Sequence, residues 1–150
     1  MDMIVADVTK SAPLQLQFFT TGSIQIPHLT HVTIWQNAAN VANLVTTATS
    51  GGGVYQRGTL NYANTIVAGS TKGNDCQLVP GASTLASNRA NLVGDGLCSA
   101  AFSGDPNLRA LANNGGATLT AALNAGAAAI DAGNDSDCAA TQVGYLDQRG

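Results

Sequence analysis

Glutamate is absent from this chain, and charged residues of every kind fill only 10% of its 150 positions. The six cations, Lys10, Arg57, Lys72, Arg89, Arg109 and Arg149, are scattered, and the formal net charge is −3. Nothing here neutralises a run of phosphates, so nucleic acid is excluded as an expected partner. No apolar run approaches the ~20 residues of a membrane-spanning helix. No basic stretch followed by an apolar core opens the chain, so no secretory signal is legible. The scarcity of Glu and Lys removes the residues on which helices normally draw.

What is abundant is small or turn-forming: Ala, Gly, Thr, Ser and Asn. Tightly wound strands suit this composition. The length is that of one domain, 1–150. Its centre is Gly58–Ser70, GTLNYANTIVAGS, a strand, a bend at Asn64 and a second strand. Leu60, Tyr62, Ile66 and Ala68 fall on one face by alternation. A segment so short cannot bury its own apolar face and needs similar segments stacked on it. His31–Asn37, HVTIWQN, aligns with Ala63–Gly69 at an offset of 32, pairing Thr33 with Thr65 and Ile34 with Ile66. That is a solenoid signature. It predicts an all-β fold, a parallel β-helix of few rungs with irregular Gly/Asn-rich C-terminal segments.

Along the chain, residues 1–21 hold LQLQFF (14–19), a strand whose Phe18 and Phe19 break the alternation and mark an end cap or an interface. Residues 22–70 carry the rungs, with Ile24, Ile26, Val32 and Ile34 alternating around Pro27. His28 and His31 sit three apart, on opposite faces of an extended chain, and read as polar corner residues rather than chelators. Ala38–Ser50 reads as a loop thrown out between rungs. The triplet Gly51–Gly53 reads as tight rung geometry, since no Gly-Lys-Ser/Thr follows to make a phosphate cradle. If Ile34 and Ile66 face inward, Trp35 and Val67 face outward. Trp35 is then covered by a loop, a subunit contact or a sugar platform. From Ser70 the rungs loosen, and the Leu/Thr alternation within Gly104–Gly133 predicts further strands.

Cys76 and Cys98 enclose an irregular loop holding Pro80, Gly81 and Gly94. Their pairing is expected, at about 3 kcal/mol in the loop-entropy treatment. Cys138 is then odd, either a free thiol or a competitor for one of the others. No CxxC or neighbouring histidine supplies a tetrahedral metal set.

The segments NTIVAG (64–69), NDC (74–76), NLVGDGLC (91–98), GDPNL (104–108), LANNGGATLT (111–120), AIDAGN (129–134), Cys138 and DQRG (147–150) occur in an order and spacing that resembles one family. It is that of bacterial surface proteins built as right-handed parallel β-helices with a choice-of-anchor C-terminus. Ala117, Ala121 and Ala128 stand where that family commonly has proline, histidine and proline, and the chain stops before the anchor segment. The resemblance implies a surface location and no common activity. With no visible signal, the expectation is a piece of a longer secreted or surface protein.

An enzyme on such a fold would be a polysaccharide lyase or hydrolase, requiring clustered or paired carboxylates. The rungs carry no acid between Thr9 and Asn74. The densest cluster, DAGNDSD, offers Asp131, Asn134, Asp135 and Asp137 as candidate calcium ligands or as a solvated turn. No G-x-S-x-G nucleophile pattern is present. The favoured expectation is a non-enzymatic, secreted or cell-surface structural, adhesion or interaction module without a catalytic site. A carbohydrate-binding or polysaccharide-degrading protein is the alternative, and an orphan mobile-gene fragment the third reading. Open solenoid ends predict association of copies or capping by residues 1–21. A glycan or another surface molecule is the expected external partner.

Overall fold

The computed structural model describes residues 28–37, 51–140, 144, 146 and 149. The expectations for residues 1–21, Phe18 and Phe19 among them, and for the 38–50 loop lie outside these residues. Among the described residues, seven strands form two sheets in which every pair is parallel. Strands β1 (His28–Thr30), β3 (Gly51–Ala63) and β5 (Asn74–Arg89) form the first sheet, in that order. Strands β2 (Thr33–Trp35), β4 (Ile66–Ala68), β6 (Leu92–Val93) and β7 (Phe102–Ser103) form the second. Up to β6, the chain alternates strictly between them.

The alternation is made by a repeated bend. Thr30, Ala63 and Arg89 stand opposite one another at the ends of β1, β3 and β5. The next residue in each case takes a left-handed conformation: His31 (φ 57), Asn64 (φ 48) and Ala90 (φ 50). Such a residue turns the backbone sharply, at a steric cost that asparagine bears better than most. The bends hydrogen-bond to the strand end beside them, His31 N–H donating to Ala63 O (3.2 Å) and Asn64 N–H to Arg89 O (3.0 Å). A second such corner follows β2 and β4, at Gln36 (φ 55) and Gly69 (φ 70). The bend expected at Asn64 is therefore present, and it is one of a row.

The register differs from the expected offset of 32. His28 lies opposite Asn61 and Trp35 opposite Ala68, an offset of 33 in both sheets. Ile34 accordingly pairs with Val67, and Val67 with Val93. These three make a column that is 5%, 1% and 0% exposed. Ile66, expected under Ile34, is only half-buried beside Thr33. A slip of one residue exchanges the two faces of a strand. Val67 therefore lies in the core, on the face opposite to the one predicted from an inward Ile66.

Leu60 and Tyr62 complete the core from the first sheet, both almost wholly buried. The Tyr62 hydroxyl donates to Cys98 O, and burial pushes its pKa up to about 12. Asn91, 0% exposed, accepts from Thr65 N–H (3.0 Å) and donates to Tyr62 O (2.9 Å), tying one layer to the next. The glycine triplet opens β3, and a Cβ on Gly53 would lie 2.6 Å from Asp75 O and from a Val67 methyl. Close approach of neighbouring backbone is thus the reason for glycine there, as expected.

Two expectations fail beyond Ser70. The chain does not loosen there: β5 is the longest strand, at 16 residues, with register shifts against β3. The strands expected in 104–133 are reduced to isolated antiparallel bridges, Leu108 with Leu123 and Ala112 with Thr120. No strand among the described residues lies beside them to extend these bridges into a ladder.

Candidate functional site

Cys76 and Cys98 are joined, with Cα atoms 6.0 Å apart, and Cys138 is free. Cys138 therefore does not compete for either partner. It closes a four-residue helix, α1 (Asp135–Cys138), whose N-cap is Asn134. The Asn134 side chain accepts from Asp137 N–H (3.2 Å) and from the Ser136 hydroxyl (2.5 Å).

This short helix docks on the row of left-handed corners. Asn64 is the clamp. Its Oδ1 accepts from Asn134 N–H (2.6 Å) and its Nδ2 donates to Asn134 O (3.1 Å), a paired amide contact that fixes which way the side chain faces. The second hydrogen on Nδ2 is then within reach of two acceptors, His31 Nε2 at 2.9 Å and Cys138 Sγ at 3.4 Å. His31 Nε2 and Cys138 Sγ are themselves 3.4 Å apart. Three polar atoms, from two corners and one helix, thus form a near-equilateral triangle. His31 is exposed and Cys138 half-buried.

Beside the triangle, Arg89 reaches from the end of β5 to Asp137. Its Nε donates to Oδ2 (2.9 Å) and its Nη2 to Oδ1 (2.5 Å). That hydrogen bonding is the main reason the Asp137 carboxyl is held below the usual carboxylate range, with Arg89's charge and, less, that of His31 adding to it against partial desolvation. Arg89 is raised in turn, first by the same hydrogen bond.

Two of the four candidate calcium ligands are therefore spent on protein partners, Asp137 on Arg89 and Asn134 on its own helix. Asp131 and Asp135 are exposed. No group of three or more His, Cys, Asp or Glu side chains among the described residues converges on one point. The other carboxylates among the described residues serve the backbone. Asp75 accepts from Ser70 N–H (2.7 Å), Asp95 from the N–H of Asp75 (2.7 Å) and of Leu97 (3.0 Å), and Asp105 from Asn107 N–H (2.8 Å).

Trp35 is half-buried rather than fully outward. Its ring lies over Gly69, where a Cβ would sit 3.1 Å from two ring atoms. The left-handed glycine at that corner makes room for the indole.

Sequence reasoning missed the triangle because it used the wrong register. At an offset of 33 His31 falls beside Asn64, whereas at 32 Asn64 falls beside Val32. The signal that finds it is positional: a residue fit for a left-handed bend immediately after each strand of the first sheet. Compared with known proteins, the chain matches no family model, no curated protein and no solved structure.

Proposed function

We propose that the chain is a right-handed parallel β-helix module, secreted or displayed on a cell surface, acting as a structural, adhesion or interaction element rather than an enzyme. The observation that carries this reading is the stacking of corners. Strands that alternate between two parallel sheets, each turned by a left-handed residue in the same row, are what successive coils of one chain produce. Such coils stack apolar columns inside and present an extended outer surface for recognition. The cross-link Cys76–Cys98 fits an oxidising compartment outside the cytosol. The engagement of Asp75, Asp95, Asp105 and Asp137 with backbone or Arg89 supports a non-enzymatic role, since a lyase or hydrolase needs carboxylates free to act together.

The compartment is tested by trapping thiols in material taken directly from its natural source. Cys76 and Cys98 are expected to be blocked and paired; both trapped as free thiols would overturn the extracellular reading. The role is tested by incubating the protein with a panel of polysaccharides and following reducing ends. None is expected, and their release would transfer the assignment to the carbohydrate-active alternative. That second reading has one observation in its favour, the half-buried indole of Trp35 on its glycine. A glycan screen with the wild type and Trp35→Ala measures it: binding lost in the variant would identify a sugar platform. Light scattering decides whether open sheet edges bring copies together.

A further inference from the structure

We propose that Cys138 and His31 form a thiol site that exchanges with low-molecular-weight disulfides, His31 Nε2 taking the thiol proton as Sγ attacks. The thiol is not isolated. A base stands 3.4 Å from it on a separate corner of the fold, and a fixed amide donor stands 3.4 Å away on another. Nucleophilic cysteine chemistry requires that pairing of sulfur with base, and a third group to set their positions.

Asn64 acts as the positioning residue. With the thiol protonated, its second amide hydrogen rests on His31 Nε2, 2.9 Å away. Once Nε2 holds the proton it becomes a donor and no longer accepts, and the same amide hydrogen, already within reach of the sulfur, is left to it alone. The thiolate then accepts from both His31 and Asn64. The paired contact with Asn134 holds the amide in this orientation throughout.

The step balances without any further oxidant. Sγ forms a bond to one sulfur of a disulfide RSSR, the S–S bond of that molecule breaks, and RS⁻ leaves with the bonding pair. The proton on His31 Nε2 passes to it. The products are Cys138–S–S–R and RSH. The internal disulfide is not the partner, because Cys76 and Cys98 are buried in the core while His31 opens to solvent. The charged groups packed beside the pair are Asp137, from the same helix, and Arg89, from β5; they are bound to each other. Asp135, at the start of that helix, is exposed.

Oxidised glutathione and mass spectrometry test the site on the whole chain, with Cys138→Ser and His31→Asn as variants. Asparagine suits the left-handed bend that His31 occupies. Retention of the Cys76–Cys98 bond and of the urea midpoint shows that each variant is folded. The wild type is expected to gain one glutathione, on Cys138, and Cys138→Ser none. At pH 7, where an unassisted thiol is only a few per cent ionised, His31→Asn is expected to react about tenfold more slowly. The two rates are expected to converge in alkaline solution, where hydroxide replaces the imidazole as the base. Equal rates at pH 7 would overturn the proposal. So would a deficit of constant size at every pH, which marks mere loss of access, or an adduct that forms only after unfolding in urea.

Discussion

Residues 28–37 with 51–103, on one side, and residues 104–140, on the other, draw on the same small, weakly charged alphabet and are held by different forces. In the first region, apolar side chains from successive strands meet: Ile34, Val67 and Val93 in one sheet, Leu60 and Tyr62 in the other. In the second, Leu111, Leu119 and Ile130 are all exposed, and the fully buried residues are Pro106 and Ala127. Order there comes from isolated backbone bridges, as between Ala112 and Thr120, reinforced by amide side chains. Asn124 Nδ2 donates to Asn107 Oδ1 (2.9 Å), Arg109 Nε to Asn124 Oδ1 (2.9 Å) and Asn114 Nδ2 to Thr120 O (2.8 Å). The lesson is that apolar alternation makes a strand only when another strand lies alongside to receive its backbone. Past β7 no described strand does; isolated bridges such as Ala112 with Thr120 remain, and side-chain amides reinforce them.

The contrast is broken or upheld most sharply by a pair of truncations. Leu60→Ala is expected to lower the unfolding free energy by about 2–5 kcal/mol, because the surrounding sheet cannot collapse into the space. Leu119→Ala, at 54% exposure, should change it by under ~0.5 kcal/mol. Urea unfolding of both variants makes the measurement. A large loss in Leu119→Ala would mean that this face is covered in solution, and the division between the regions would fail.

The next effect is that of the cross-link. Replacing Cys76 and Cys98 together by serine is expected to cost about 3 kcal/mol. The loss should fall on the sheets, since Cys76 pairs with Val54 on β3 and Cys98 O receives the Tyr62 hydroxyl. Calorimetry of the double variant checks the size. An unchanged melting temperature would show that the sheet region is stable without its staple.

The sequence carried much of the first region and little of the second, for a physical reason. The Asn64 bend, the pairing of Cys76 with Cys98 and the strand-rich, all-parallel pattern could be read because each depends on residues near one another or on chemistry unique to one residue type. The register could not. Thr33-Ile34 matched to Thr65-Ile66 is the better alignment of letters, yet the left-handed bends stack His31 on Asn64 and shift everything by one. The backbone, not side-chain likeness, sets that choice. Val67 is misplaced as a direct result, and the triangle around Cys138 is invisible. Residues 104–133 misled in another way: Thr118 and Thr120 alternate with apolar residues as a strand would, but a ladder partner is a property of the fold and leaves no mark in the segment itself.

The seam between the regions is Asn64, and its removal should separate them. Asn64→Gly keeps the left-handed bend and deletes the amide; Asn64→Ala deletes the amide and strains the bend as well. Each is expected to cost about 1 kcal/mol through the lost hydrogen bonds, with alanine the worse of the two. Amide exchange locates the damage. Protection should fall across residues 134–138 while Val93, at the core of the second sheet, keeps its own. Equal loss at Val93 would mean that the two regions unfold as one.

The smallest effect belongs to the ion pair of Arg89 with Asp137. The Arg89 side chain is 50% exposed, and ion pairs open to water contribute little to stability. Arg89→Gln should therefore leave the urea midpoint where it is. What the pair alters is the acidity of Asp137. A carboxyl held below its ordinary range in the folded chain contributes stability above the unfolded value, near ~4, and loses that contribution as pH falls through the lowered folded value. In Arg89→Gln the hydrogen bond that lowers it is gone, so Asp137 should titrate back toward the ordinary range and the acid-side loss should shrink. Carbon NMR of the Asp137 carboxyl against pH follows this directly. If Asp137 titrates identically in the two proteins, the pair is not formed in solution, and the helix bearing Cys138 is held to the sheets by Asn64 without help from Arg89.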